Sequence, residues 1–331
     1  MSTTILGKPV GPIGFGLMGL TARRPPPSDE ECFAAIKAAL AAGCNYFNGG
    51  EFYGTPESNS LTLLNKYLQK YPEDAEKIVV NIKGSLGPDR RPTGSKEAVT
   101  KSIENVLRLF GPVGKIAQYE AGRKDVTVDY EKDTLATIEG YVKAGKIGGI
   151  ALSEVNAETI RSAAKSFNIT AVELEVSMFS IGPLTNGTLQ ACGDLNIPVL
   201  AYSPLGRGLL GGQLKSLDDL AKDDPKRIMP RYQGENFYKN LELVSKVEAL
   251  AEKKGCTSGQ IAINWLLSLS KRPGMPTIIP IPGSSKPDRI RENATLVELT
   301  EGDLAEIDDI LKTFVPAGER YPELFLQDIE K

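Results

Sequence analysis

Short apolar runs recur along the chain, and each is followed by apolar residues at helical spacing. Thr3 to Gly11, with a Gly-Lys-Pro turn, predicts a small hairpin, and Pro12 to Gly16 a short strand. Ser28 and Glu31 form a capping-box pattern ahead of Phe33, Ile36 and Leu40, and Gly43 closes that helix. Tyr46 and Phe47 read as the second strand, with a helix through Leu61, Leu64 and Leu68. Lys77 to Lys83 is the third strand, before a helix from Ser95 to Leu109. Ile116 to Tyr119 and Ile147 to Leu152 are the next two strands. The helix between them carries Leu135, Ile138 and Val142 and stops at Gly145; Asn156 caps the one that follows. Ile169 to Leu174 and Pro198 to Tyr202 are strands six and seven, around a short helix from Leu189 to Leu195. After a long connection, Ser203 to about Asn236, come helices from Val244 to Lys254 and Ser258 to Leu269. Thr277 to Ile281 is the last strand, with a helix from Lys286 to Leu296, another from Leu304 to Lys312, and a tail to Lys331 expected to cover one end.

Strand and helix thus alternate eight times with no linker-like break, which predicts a parallel sheet with helices outside it. Eight units in 331 residues suit a single (β/α)8 barrel over residues 1–331, with an N-terminal hairpin and a C-terminal extension. An open dinucleotide-binding sheet is the alternative, and Gly14-Phe15-Gly16-Leu17-Met18-Gly19 matches its glycine letters. The following Leu20 to Pro27 includes three successive prolines, which rule out a helix opening there.

Composition narrows the chemistry. Apolar residues make up 41% of the chain, and a net charge of −3 with interspersed signs leaves no nucleic-acid or membrane footprint. Met1 to Lys8 lacks the apolar core of a secretion signal. Cys32, Cys44, Cys192 and Cys256 have neither paired nor metal-type spacing, as suits a reducing cytoplasm. There is no histidine, so catalysis must use Tyr, Lys, Asp, Glu or Cys.

In such a barrel the active site lies at the C-terminal strand ends. Standing there are Gly16, Leu17 and Met18; Asn48, Glu51 and Tyr53; Lys83; Glu120, Gly122 and Arg123; Ser153 and Glu154; Glu173 and Glu175; Tyr202 to Gly206; and Gly283 to Lys286 with Arg289. Tyr53 and Lys83, on adjacent strand ends, could share a hydrogen bond, the ammonium lowering the phenol pKa from about 10. Ser284 and Ser285 before a basic helix N-terminus suit a phosphate.

The segments Asn48-Gly-Gly-Glu-Phe-Tyr53-Gly54, Lys83, Ala201-Tyr-Ser-Pro-Leu-Gly206 and Ile281-Pro-Gly-Ser-Ser-Lys286 with Arg289, Glu292 and Asn293 resemble the aldo-keto reductase superfamily. The match runs in order from about residue 10 to 315, and the Asn48 and Glu173 to Ser180 segments resemble its fungal pyridoxal reductases. The resemblance implies an NADPH-dependent carbonyl reductase, with Tyr53 as proton donor, Lys83 as its partner and Asn48 beside them. Gly16, Leu17 and Met18 would line the cofactor, and Ser153, Glu154 and Glu173 would stand near the nicotinamide, on which Tyr202 stacks. Ser203, Pro204, Leu205, Arg207, Gly208 and Leu210 would cover the pyrophosphate. Gly283, Ser284, Lys286 and Arg289 would hold the 2′-phosphate, with Glu292 and Asn293 near the adenine.

Two positions depart from the superfamily pattern. Asn48 replaces the usual aspartate partner of the lysine, and about Gly122 a carbonyl-orienting histidine is missing. Losing such a donor costs about 3–4 kcal/mol of transition-state stabilisation. Pyridoxal, whose ortho hydroxyl can hydrogen-bond its own aldehyde, would offset that loss, and Glu120 or Arg123 at the substrate is the other source. The implied reaction is pyridoxal to pyridoxine. A secondary-metabolite carbonyl, or a low-turnover NADP(H)-binding regulatory role, remains open, as does a monomer or weak homo-oligomer. Tyr321 and Phe325 in the tail are candidates to reach substrate.

Overall fold

The computed structural model describes residues 3–331; Met1 and Ser2 lie outside them. Strands β1 (Thr3–Ile5) and β2 (Lys8–Val10) form an antiparallel hairpin. Eight parallel strands follow: β3 (Phe15–Gly16), β4 (Tyr46–Gly50), β5 (Val79–Gly84), β6 (Ile116–Ala121), β7 (Gly149–Ser153), β8 (Ile169–Glu175), β9 (Val199–Tyr202) and β10 (Ile278–Pro280). Each pairs with the next in chain order. The Gly14 N–H donates to the Pro280 carbonyl at 2.9 Å and the Gly16 N–H to the Pro282 carbonyl at 3.1 Å, so the last strand meets the first and the barrel closes. A Cβ at Gly14 would lie 2.8 Å from the Tyr46 carbonyl oxygen, so this seam requires glycine.

The two-residue period of the strands divides the apolar residues between two cores. Phe47, Val80, Ile82, Leu152, Val172 and Leu174 face outward into the helical layer. Tyr46, Val79, Ala151, Ala171, Leu200 and Ile279 face inward and pack with Ile5 and Val10 of the hairpin, which closes the N-terminal end. A polar layer stands above this plug: Asn48, Asn81, Lys83, Glu120, Ser153 and Glu173 are all inward-facing by the same parity and all buried. Between the layers Tyr46 Oη donates to Gln118 Oε1 at 2.5 Å, and Gln118 Nε2 to Thr170 Oγ1 at 2.7 Å.

The predicted caps form. Ser28 Oγ accepts from the Glu31 N–H and Glu31 Oε2 from the Ser28 N–H, and Asn156 Oδ1 accepts from the Thr159 N–H. Some boundaries differ. The first barrel strand keeps only Phe15 and Gly16, since Pro12 has no N–H to pair. Met18–Thr21 makes one helical turn where none was expected, and it ends before the prolines. The helix expected from Val244 begins ten residues earlier, over Gly234–Lys254, because Phe237, Asn240 and Leu243 continue its buried face. Among the described residues no helix is long and apolar enough to cross a membrane.

Asp74 braces the helices outside β4. Its carboxylate accepts from Lys37 Nζ at 2.6 Å, Tyr67 Oη at 2.5 Å and Lys77 Nζ at 2.8 Å. Burial works against the ionised form, but those three bonds hold its pKa down from 3.8 to about 2. The stabilisation is therefore complete above about pH 4 and is lost as pH falls through about 2. We expect Asp74→Asn to cost about 2 kcal/mol at neutral pH and almost nothing at pH 2, measured by urea unfolding at both. An equal loss at both pH values would contradict the assignment.

Candidate active site

At the C-terminal strand ends the barrel opens into a cavity of about 430 Å³. Its walls bring together Gly16, Met18, Asn48, Tyr53, Glu173, Tyr202 to Leu205, Arg207, Gly208 and Gly283. Gly19, Pro225, Lys226, Met229, Ile281 and Pro282 line it too. The connection carrying Pro225, Lys226 and Met229 has no period, so nothing in the sequence pointed to them. A larger surface hollow of about 670 Å³, lined by Lys124, Tyr130 and Asn156 in the segments after β6 and β7, mixes lysines with carboxylates and includes neither Tyr53 nor Lys83.

Lys83 projects from β5 into the barrel, beside Gly50 on one side and Glu120 on the other. Its Nζ donates to Asn48 Oδ1 at 2.9 Å and to Glu173 Oε2 at 2.5 Å, and lies 3.2 Å from Glu120 Oε1. Asn48 Nδ2 donates to the same Glu173 oxygen at 2.5 Å, and Asn81 Nδ2 to Glu120 Oε1 at 3.1 Å. Burial disfavours the ammonium, yet Glu173, Tyr53 and Glu120 hold its pKa above the ordinary lysine value. Glu173 lines the cavity and turns its carboxylate onto Lys83 and Asn48. Glu120, expected at the substrate, is fully buried and is not part of the cavity wall, its carboxyl being turned onto Lys83 and Asn81 in the barrel interior.

Tyr53 stands on the turn after β4, where its N–H donates to the Gly50 carbonyl at 3.2 Å. Its ring lies against the Gly50 backbone: a Cβ there would sit 3.0 Å from it. Lys83 Nζ is 5.7 Å from the ring centre, and its hydrogen bonds go to Asn48 and Glu173. Burial raises the phenol pKa more than Lys83 and Arg123 lower it, so the net shift is upward and not, as expected, downward. The phenol therefore keeps its proton at neutral pH.

Arg123 donates from Nη1 to the Gly122 carbonyl at 2.5 Å and to Ser153 Oγ at 3.4 Å, and from Nη2 to Tyr321 Oη at 3.5 Å. Its guanidinium stays charged despite burial, with Tyr202, Tyr321, Glu154 and Tyr53 raising its pKa. Beside it, the space above Gly122 is taken: a Cβ would meet Leu86 Cγ at 3.2 Å and Phe52 Cε1 at 3.3 Å.

The C-terminal tail covers the mouth. Tyr321 Oη and Tyr202 Oη are 2.9 Å apart, and the Arg207 guanidinium lies 4.2 Å from the centre of the Tyr321 ring. Arg207 is not a free cation over the cavity, since its Nη2 is 2.9 Å from Glu175 Oε2. Arg320 pairs with Glu154 Oε2 at 2.8 Å and Glu175 Oε2 at 3.5 Å. Glu154 is thus an internal tie, its Oε1 accepting from the Glu175 N–H at 2.8 Å. Leu17 and Leu210 sit behind the wall, the first through an N–H to the Asn48 carbonyl, the second through a carbonyl accepting from Ser258. Beyond β10, Lys286 N–H donates to Ser284 Oγ at 3.1 Å just before the helix Pro287–Ala294. Arg289 Nη1 donates to Glu292 Oε1 at 2.7 Å, and the buried Asn293 Oδ1 has no partner.

The Aldo/keto reductase family model matches residues 12–312. The chain belongs to the aldo/keto reductase family. It is 38% identical over 326 residues to the "Probable pyridoxal reductase 2" of Schizosaccharomyces pombe, covering 95% of this chain and 96% of the relative. The aldo-keto reductase yakc of the same yeast, whose name cites NADP(+), is 35% identical over 94% of this chain and 91% of its own. The glycerol dehydrogenase of Gluconobacter oxydans shares the fold, with a TM-score of 0.81 at 23% identity over 96% of this chain and 97% of its own. This aldo-keto reductase is thus an NADP(H)-dependent oxidoreductase acting on small carbonyl compounds.

A side chain at Gly122 would have to push Leu86 and Phe52 aside by a few tenths of an ångström. We expect Gly122→His to displace Leu86 and Phe52, costing about 1–3 kcal/mol, with a lower Tm in a thermal melt and no gain in turnover. A variant with unchanged Tm and faster turnover would show that the space is free.

Proposed function

We propose that this enzyme reduces an aromatic aldehyde, pyridoxal, to its alcohol with NADPH, and that Tyr53 donates the proton. The observation that carries the proposal is a protonated phenol on the cavity wall with a buried ammonium 5.7 Å from its ring. Tyr53 would hydrogen-bond the carbonyl oxygen through its O–H and release that proton as charge builds there. Lys83 and Arg123 both favour the tyrosinate left behind.

The residues present fit the cofactor. Asn293 Oδ1, buried and unpartnered, can accept from the adenine amino group. Ser284, the Lys286 ammonium and Arg289 stand at a helix N-terminus suited to the 2′-phosphate. Ser203, Gly206, Arg207 and Gly208 all have positive φ, so this loop turns tightly at the cavity, whose wall Ser203, Arg207 and Gly208 form where a pyrophosphate would lie. Tyr202 offers its ring to the nicotinamide. When bound, the cofactor supplies the hydride for the carbonyl carbon.

Arg123 supports an ortho-hydroxy aldehyde as substrate. With no histidine in the chain, the Arg123 guanidinium, whose charge favours ionised Tyr53 and which forms no ion pair among the described residues, is our candidate cation for a carbonyl oxygen and the phenolic oxygen next to it. Pyridoxal carries both. The 38% identity to a relative named for pyridoxal reduction supports the same choice.

NADPH consumption with pyridoxal tests the reading. Tyr53→Phe should lower kcat by about 10²–10⁴ while NADPH fluorescence titration still shows binding; full turnover in this variant would refute the proton donor. Removing the 3-hydroxyl from pyridoxal should lower kcat/KM by at least about tenfold, the loss of one charged hydrogen bond, and an equal value would refute the substrate assignment. Lys286→Ala with Arg289→Ala should weaken NADPH binding by about tenfold or more and leave NADH nearly unaffected. Equal effects on both cofactors would move the 2′-phosphate elsewhere.

A further inference from the structure

The cluster under Tyr53 holds one ammonium and two carboxyl groups, all with at most 4% of their side-chain surface exposed. With both carboxyls ionised, the barrel would enclose an uncompensated negative charge, which is strongly disfavoured. Among the described residues no second cation pairs with Glu120 or Glu173. Tyr46 below spends its hydroxyl on Gln118, Tyr130 has no hydrogen-bond partner, and Tyr119 bonds Ser85 and Ser102 on the outer side. Arg123 above turns to Gly122, Ser153 and Tyr321.

The hydrogen bonds show where the compensating proton sits. Glu120 Oε1 accepts from Asn81 and faces Lys83, the pattern of a carbonyl oxygen. Glu120 Oε2 is buried with no donor to it. A bare carboxylate oxygen would be stranded there, whereas a hydroxyl could give its hydrogen to the neighbouring Glu173. Asn48 completes the arrangement. Its Oδ1 accepts from Lys83 while its Nδ2 donates to Glu173, so an amide satisfies both neighbours. An aspartate at 48 would place a third carboxylate against Glu173.

We propose that Glu173 and Glu120 act as one singly protonated carboxyl pair, Glu173 serving as the counter-ion of Lys83 and Glu120 holding the proton. Both are positioning residues: they act on Tyr53 through Lys83. Burial and the Glu173 charge, partly opposed by Lys83, raise the Glu120 pKa well above its ordinary value, in agreement with this assignment. The proposal rests on the reading of Tyr53 and Lys83 as the proton-donating pair, and extends it by moving the lysine's negative partner from β4 across the barrel to β8.

The experiment is a carboxylate transplant with an independent spectroscopic arm. Glu173→Gln should lower kcat for pyridoxal by about 10²-fold, the loss of a buried ion pair's partner. Adding Asn48→Asp to that variant returns the carboxylate to β4, and the amide introduced on β8 can then donate to it. Turnover should recover by about tenfold or more. Asn48→Asp alone, with three carboxyl groups, should be slower than wild type. Infrared difference spectra of wild type against Glu120→Gln should show the carbonyl stretch of a buried protonated carboxyl in wild type only. Wild-type turnover in Glu173→Gln, or a double variant that folds and binds NADPH yet is no faster than the single one, would overturn the counter-ion assignment. Absence of the infrared band would overturn the protonated pair. If wild type leaves pyridoxal unreduced, the substrate reading fails, while the infrared band still decides the protonation of the pair. If Glu173→Gln fails to fold, Asn48→Asp at or above wild-type rate overturns the arrangement.

Discussion

A lysine ammonium cannot be enclosed in a barrel without charge compensation and hydrogen-bond acceptors, and Lys83 is buried with 3% of its surface exposed. Its partners come from β4, β6 and β8, so one cation ties four strands through the barrel interior. The polar layer it organises rests on an apolar plug to which the N-terminal hairpin contributes Ile5 and Val10. That plug closes the barrel's far end and keeps the layer dry. Tyr53 inherits its setting from the same cluster: Lys83 favours its ionised form, while Glu173 and Glu120 oppose it.

The mouth of the barrel repeats the logic with different residues. Two guanidiniums, Arg207 and Arg320, meet two buried carboxylates, Glu154 and Glu175. One guanidinium comes from the loop after β9 and the other from the tail, so the pairs fasten both segments to the ends of β7 and β8. Tyr321 lies on Arg207 and reaches the Tyr202 hydroxyl. Arg123 forms no ion pair among the described residues, and its charge favours the ionised form of Tyr53. A chain without histidine thus still has a half-buried guanidinium whose charge acts on its phenol.

Much of this was legible in the chain. The eight-fold alternation, the Ser28 and Asn156 caps and the inward parity of Asn48, Lys83, Glu120 and Glu173 all follow from local periods and side-chain chemistry. The connection from 203 to 236 was not legible, because its short turns carry no period and Met229 and Lys226 meet the cavity through their path in space. Nor was the net shift on Tyr53, where burial outweighs the neighbouring cations. Burial is a property of the assembled walls and not of the motif around residue 53.

The amino-acid order by itself determined which side chains enter the barrel and at what height, because strand parity is set residue by residue. Only the tertiary structure decided which of them meet. Lys83 and Glu173 are separated by 90 positions and three strands, yet their side chains come within 2.5 Å because closure brings opposite walls together. The same closure set the roles of Asn48 and Glu120: facing Glu173 across a desolvated interior, one must be an amide and the other must carry a proton.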